Sequence, residues 1–522
     1  MRLIFKQRCR GESCIRPCAV LLLGLFMLSL TGCMTITNQV QAEVMAAKNY
    51  PAASSDLNKA ASPSISNAPP MINLKNYQSV ENSPDRPYQR PDIAVAVAVS
   101  GGGYRASNLL MGVLLGLEQY QNPSLKGNLL EEVDYFSTVS GGGFGVGYYL
   151  SRLNLFLKNK NDLNKNFPHF SLAQALKQTL SQPAQMGLGS LSNAYTGSGN
   201  VLNIDQSGVI ELGVDHYDSY EKIINQGVLN AGVGLTPGIN SGLVLGQPDF
   251  TLGDVFIPTN SSIKPRLPLW IVNTTIYQNM AVMPITPEVL RAYQIDGYRH
   301  MGKVVNSIGF NSDIHASFDF NFPYSVALAA SSSVPFAMRS TTLNSSACPG
   351  GCYLQLFDGG LSDNLGIASA YNVLIQDPAK IKLLIVVDAG STQPHAFSAN
   401  ATPPGIFSML WQVMNSGITS SRLLVRNNVG QLGRALMCEN GASHVFIVYL
   451  DLSQNKDADG IPTSLVLTPA QQASLLKIGQ DLVKNNLVLN QDFPKFLKGD
   501  NTIGACPAKE LPLGAYDVSM LG

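Results

Sequence analysis

Two serines end apolar runs and are each followed by three glycines and an aromatic residue: Ser100-Gly101-Gly102-Gly103-Tyr104 and Ser140-Gly141-Gly142-Gly143-Phe144. A strand that bends sharply into a helix holds a serine hydroxyl in the open at the bend. Glycines there let other backbone approach and leave N–H groups facing a ligand. One turn could hold a nucleophile and the other the donors for an oxyanion. Thr138-Val139-Ser140-Gly141-Gly142 is the nucleophile-elbow pattern, with Thr at the first small position where glycine is usual. Gly103-Tyr104-Arg105 instead puts a cation just past the glycines, at the positive end of a helix dipole, where an oxyanion is stabilised. Arg105 could add to that charge or hold a substrate phosphate. Either serine alone would also fit a tight βα connection with no chemistry.

A serine nucleophile needs a base. Asp358 ends an apolar strand in Leu356-Phe357-Asp358-Gly359-Gly360, where a carboxylate can lie at the ligand-binding edge of an open sheet. Asp388 in Val387-Asp388-Ala389-Gly390 has similar surroundings, and spacing alone does not separate the two. Asp363 and Asp134 read as solvated or turn-forming. A Ser-Asp-His triad would take His395 or His444, neither in a distinctive context. Gly101, Gly103 and Ala106 also fit the G-x-G-x-x-A variant of the dinucleotide fingerprint. Glu118 comes too early, and inside a helix, to be its ribose-binding acid.

The elements that position these groups follow from periodicity. Residues 93–99 (IAVAVAV) are a short apolar run, β-branched at alternate positions, and suit a strand buried on both faces of a parallel sheet. Residues 108–120 read as a buried helix, so strand, glycine turn and helix form a βα unit. The pattern recurs with a strand at 133–139 and a helix at 144–157. Further apolar runs at 267–272, 354–357, 383–387 and 444–450 supply strands. Alternation of this kind predicts an α/β fold with a mainly parallel sheet. Residues 171–265 change character, rich in Gly, Ser, Asn and Gln. They read equally as an inserted cap or as a surface excursion. A C-terminal extension over 451–522 carries a helix at 468–486, with Thr468 as cap and Pro469 in its first turn.

The amino terminus reads as an export signal: five basic residues from Arg2 to Arg16, then the apolar run 19–30, too short to span a bilayer as a free helix. Leu30-Thr31-Gly32-Cys33 follows and resembles the bacterial lipobox, which implies cleavage after residue 32 and acylation of Cys33. Met34 stands where an aspartate would resemble the inner-membrane retention signal, which favours the outer membrane. Residues 33–90, rich in Ala, Ser, Asn and Pro, read as a tether for the lipid anchor. Loss of the signal removes five basic side chains and Glu12 and leaves 30 basic against 34 acidic residues. With charged residues only 13% of the chain, the basic footprint of a nucleic-acid binder is missing. Four cysteines outside the signal and the lipobox suit an oxidising compartment: Cys348 and Cys352 could close a tight loop, leaving Cys438 to meet Cys506. Zinc is the rival, but the Cys348–Cys352 spacing has no matching second pair.

Taken together, the stretches Ser100–Arg105, Thr138–Gly142 and Asp358-Gly359-Gly360 resemble the patatin-like phospholipase family, related to the cytosolic phospholipase A2 catalytic domain. Ala330-Ser331-Ser332-Ser333-Val334-Pro335-Phe336 looks like the family's block between elbow and aspartate, and the four stretches occur in family order. The departure is Thr138 for glycine. The resemblance implies a three-layer α/β/α domain over 91–450. It also implies a Ser-Asp dyad of Ser140 and Asp358, and an oxyanion loop at Gly101, Gly102, Gly103 and Arg105. The implied activity is hydrolysis of acyl esters in phospholipid or lysophospholipid, without metal or other cofactor. The implied partner is a membrane reached through Cys33. A catalytically silent lipoprotein of the same fold, binding lipid or a protein, is the alternative.

Overall fold

The computed structural model describes residues 72–80, 89–159, 170–174, 202–204, 210–212, 250–300, 303–306, 318–335, 340–348, 352–390, 406–438, 444–458, 460–463 and 467–505. The signal, Cys33, most of the tether and most of 171–249 lie outside the described residues, as do His395 and Cys506. Residues 72–80, read as tether, instead pack on the domain, with Ile72, Tyr77 and Val80 buried.

The sheet is mixed, with helices on both sides. Its strands in chain order are β1 (Ile93–Val99), β2 (Val133–Val139), β3 (Leu269–Ile276), β4 (Val282–Ile285), β5 (Ile295–His300), β6 (Lys303–Asn306), β7 (Thr341–Ser345), β8 (Cys352–Asp358), β9 (Ile381–Asp388) and β10 (His444–Asp451). The spatial order is β10-β9-β1-β2-β3-β8-β7-β5-β6, with β4 paired to β3 off this path. The run β10-β9-β1-β2-β3 is parallel, and every pairing beyond it is antiparallel. Both predicted βα units are present. Every residue of β1, β2, β3 and β9 is buried, as expected of strands covered on both faces.

The longer helices are α1 (Gly103–Gln119), α2 (Gly141–Asn159), α3 (Tyr324–Ser331), α4 (Ile367–Gln376), α5 (Ile406–Cys438) and α6 (Pro469–Asn485), beside short ones such as Pro287–Ala292. Each glycine turn passes directly into a helix, so α1 and α2 begin earlier than their apolar periodicity suggests. Thr468 caps α6 in a capping box with Gln471, and Pro469 sits in its first turn. This helix packs along α1 so closely that a Cβ on Gly112 would stand 2.2 Å from Leu476 O. The C-terminal extension, read as packing on the domain, does so through α6.

Register decides what meets at the carboxyl edge of the parallel strands. Val99 pairs with Thr138 and with Val387, and Val139 pairs with Asn273. The residues that follow, Ser100 and Ser140, therefore emerge from neighbouring strands. Strand β8 runs antiparallel to β3 and ends at Asp358 opposite Thr274, one residue from the Asn273 level. Its aspartate reaches this edge by descending to it. The last part of the 171–265 stretch is core, with Phe250, Leu252 and Phe256 buried. Cys348 and Cys352 form a disulfide across the β7–β8 connection. Cys438 ends α5, and its proposed partner Cys506 falls outside the described residues.

Candidate active site

Ser140 stands at the end of β2 with φ 49°, in the left-handed region that a non-glycine residue rarely adopts. Its N–H donates to Ser331 Oγ at 2.8 Å, and its carbonyl accepts from Gly143 N at 2.9 Å. Its hydroxyl lies close enough to the Asp358 carboxylate to lower that group's pKa. That carboxylate is buried, accepts from Gly360 N at 2.8 Å, and has a pKa pushed up to about 6. Burial raises it, while the Gly360 N–H and the Ser140 hydroxyl pull it down. The Asp358 backbone is fixed at both ends: its N–H donates to Ser333 O at 3.0 Å, and its carbonyl accepts from Thr275 Oγ1 at 2.8 Å.

The first glycine turn lies against this pair. A Cβ on Gly101 would stand 3.3 Å from Ser140 Cβ and 2.5 Å from Asn364 Oδ1, so only glycine fits between them. Gly101 N donates to Asn364 O at 3.0 Å. Among the described residues, the amides of Gly102 and Gly103 donate to no acceptor, as befits the start of a helix. Gly101 therefore shapes the loop, while the next two glycines keep their donors.

The Ser100 hydroxyl is used up in structure. It is fully buried, donates to Gly101 O at 3.1 Å and accepts from Ala389 N at 2.8 Å, which ties the end of β1 to the end of β9. Arg105 is buried in the first turn of α1, where its Nη1 donates to Ile461 O at 3.1 Å. Burial and the nearby Arg422 lower its pKa to about 10. It makes no polar contact with Ser140 or Asp358.

Asp388 is distinguished from Asp358 by its partners. It receives Arg422 Nε at 2.8 Å, Tyr449 OH at 2.7 Å and Gly390 N at 2.8 Å, a closed ion pair that leaves no role as a base. Asp363 turns the chain into α4 by accepting from Leu365 N and Gly366 N, each at 3.0 Å. Asp134 accepts from Gln89 Nε2 at 2.8 Å and Val95 N at 2.9 Å. Both are buried, not solvated, because their acceptors satisfy backbone N–H groups. His444 starts β10 at the opposite, amino edge of the sheet, bonded through Nδ1 to Ile503 O at 3.0 Å. It is seven residues of strand from the edge where Ser140 sits, too far to serve as its base.

Thr138 has a structural reason. Its Oγ1 accepts from Trp270 Nε1 at 2.9 Å, and that fully buried indole stacks on Tyr324 at 4.2 Å between centroids. A glycine there would leave the indole N–H without an acceptor. Ser331, Asn273 and Asn364 also contact the site framework and were not singled out individually by sequence. Asn273 did carry a signal, since an asparagine inside the apolar run LWIVNTTI is unusual for a buried strand.

No protein-family model and no curated protein matches this chain. Solved structures of human GIVD cytosolic phospholipase A2 align with it. The complex with methyl gamma-linolenyl fluorophosphonate has 13% identity and a TM-score of 0.35, over 81% of this chain and 61% of that one. The complex that also contains terbium chloride has 12% identity and a TM-score of 0.34, over 81% and 62%. A third structure of human GIVD cytosolic phospholipase A2 has 11% identity and a TM-score of 0.33, over 90% and 64%. The aligned part is thus less than two thirds of each of those proteins. Similarity of this degree leaves the site to be judged on its own geometry.

Proposed function

We propose that this chain is a lipid acyl hydrolase, of phospholipase A or lysophospholipase type, that acts through an acyl-enzyme on Ser140. The observation that carries this reading is the juxtaposition of a serine held at φ 49° with a buried carboxylate of raised pKa, beside the glycine turn that opens α1. In the first step Ser140 Oγ bonds to the ester carbonyl carbon while Asp358 takes the hydroxyl proton. The carbonyl oxygen gains the negative charge and is received by the Gly102 and Gly103 N–H groups at the positive end of α1. Asp358 then returns the proton to the leaving alcohol. Water attacks the acyl-enzyme and gives its proton to Asp358, which returns it to Ser140 Oγ as the acyl bond breaks and the fatty acid departs. A carboxylate is a weaker base than imidazole, and burial of Asp358 brings its pKa closer to neutral, where proton transfer is better matched. Arg105 supports the loop through Ile461 and adds positive potential behind it. Cys33 acylation and placement at the outer membrane would bring the enzyme to bilayer substrate.

A silent lipid binder would have no use for a strained serine beside a buried carboxylate, both of which cost stability. The test is hydrolysis of phospholipids labelled separately at each acyl chain, by wild type and Ser140→Ala. Wild type should release labelled fatty acid and Ser140→Ala none. Absence of release from every phospholipid and lysophospholipid offered to folded wild type would overturn the proposal.

A further inference from the structure

Asn273 occupies the middle of β3 and is buried, as is Ser331 at the end of α3. Asn273 Nδ2 donates to Ser137 Oγ at 2.9 Å and to Thr138 O at 3.1 Å, gripping the strand that delivers Ser140. Its Oδ1 accepts from Ser369 Oγ at 2.5 Å, so the side chain is held from both ends. Its carbonyl accepts from Ser331 Oγ at 2.6 Å, and Ser331 Oγ in turn accepts the Ser140 N–H at 2.8 Å. The same carbonyl borders the other half of the site: a Cβ on Gly359, next to Asp358, would stand 2.3 Å from Asn273 O. One backbone oxygen thus touches both the support of the serine and the loop of the aspartate.

We infer that Ser331 and Asn273 are positioning residues that fix Ser140 against Asp358, with the Ser331 hydroxyl as the removable link. This rests on the hydrolase reading above. A serine at φ 49° returns to an ordinary backbone unless its surroundings over-determine it. Ser331 supplies the acceptor that its N–H requires in that conformation. The side-chain polar atoms of both are taken by protein partners, so they act only through the geometry of the dyad.

Ser331→Ala removes the link and leaves the Ser140 N–H and the Asn273 carbonyl unpaired. On a soluble short-chain ester, kcat should fall about 100-fold with KM unchanged, the scale of a displacement of about 1 Å in a reacting group. Ser331→Cys, which keeps the volume with a poorer hydrogen-bonding group, should lose about tenfold. The pH dependence of fluorophosphonate labelling should shift as well. The Ser140 hydroxyl is one of the groups that hold the Asp358 pKa down, so its displacement moves the acid limb of labelling to higher pH. In an Asp358→Asn background, Ser331→Ala should reduce the residual labelling rate less than about threefold, because the geometry it protects no longer matters. Thr286→Ala removes a buried hydroxyl that caps a helix elsewhere and serves as the control for general loosening. The inference is overturned if Ser331→Ala loses no more activity than Thr286→Ala, if the acid limb stays in place, or if the effects of Ser331→Ala and Asp358→Asn multiply. In those cases wild type is still labelled at Ser140. Failure of wild type to be labelled at all would instead sink the hydrolase reading and this inference with it.

Discussion

Gly141 lies directly against Gly103: a Cβ on Gly141 would stand 2.1 Å from the Gly103 carbonyl oxygen. Two turns that look interchangeable in the sequence are packed backbone on backbone, and that packing gives them different jobs. The Gly103 side offers the start of α1. The Gly141 side carries Ser140, whose hydroxyl faces the Asp358 carboxylate. Ser100 faces inward and bonds to Ala389.

This contact makes Gly141→Ala a sensitive change. Its methyl group would meet main chain, which cannot rotate aside as a flexible side chain could. The two turns must separate. Activity on a soluble ester is expected to fall at least about 100-fold, with a melting temperature several degrees lower. Enzyme assay and thermal denaturation of the purified variant check both.

As the proposed base, Asp358 must be ionised to accept the serine proton, and its pKa is pushed up to about 6. The pH profile of kcat/KM is therefore expected to rise through pH of about 6 and level off above it. An ordinary aspartate would place that limb near pH 4. A profile flat from pH 5 to 8 would remove Asp358 as the base.

The same burial sets a stability signature of unusual sign. The folded state holds the Asp358 proton more tightly than the unfolded chain, whose aspartate has the ordinary value of 3.8. The stability this confers is present below that value and is lost as pH rises through about 6. Asp358→Asn cannot ionise. It is expected to be more stable than wild type at pH 8, by up to about 3 kcal/mol, with the gap closing near pH 4, while activity is lost. Urea unfolding at the two pH values measures this directly.

Much of this arrangement is legible in the residues. The limits of β1 and β2 follow from short apolar runs ended by glycine clusters, because fully buried parallel strands have little else to signal them. Helix α6 follows from its Thr cap and Pro at the first turn. Nothing in the sequence pattern marks helix α5. Its 33 residues include Gly417 and a run of Ser, Thr and Asn with low helix propensity, and it is held by tertiary contacts such as Ser421 Oγ to Ser362 O at 3.0 Å. Asp358 and Asp388 could not be separated by spacing, since the difference lies in Arg422, which reaches Asp388 from 34 residues away. The antiparallel arrival of β8 was equally invisible, because direction within a sheet is fixed by pairing partners and not by the strand's own pattern.

Thr138 illustrates a departure from motif with a packing cause. Thr138→Gly is expected to cost about 1–3 kcal/mol for the orphaned Trp270 N–H, and about 1 kcal/mol more for glycine within a strand. Thr138→Ser, which keeps the oxygen, should recover most of the first part. Both variants should still be labelled at Ser140. Denaturant midpoints and labelling stoichiometry report the two effects separately.

The most direct test of the account is the identity of the residue modified by a fluorophosphonate, located by peptide mass spectrometry in wild type, Ser140→Ala and Ser100→Ala. Modification is predicted on Ser140 in wild type and in Ser100→Ala, and absent from Ser140→Ala. Modification of Ser100, or none on folded wild type, would contradict the assignment of the two glycine turns.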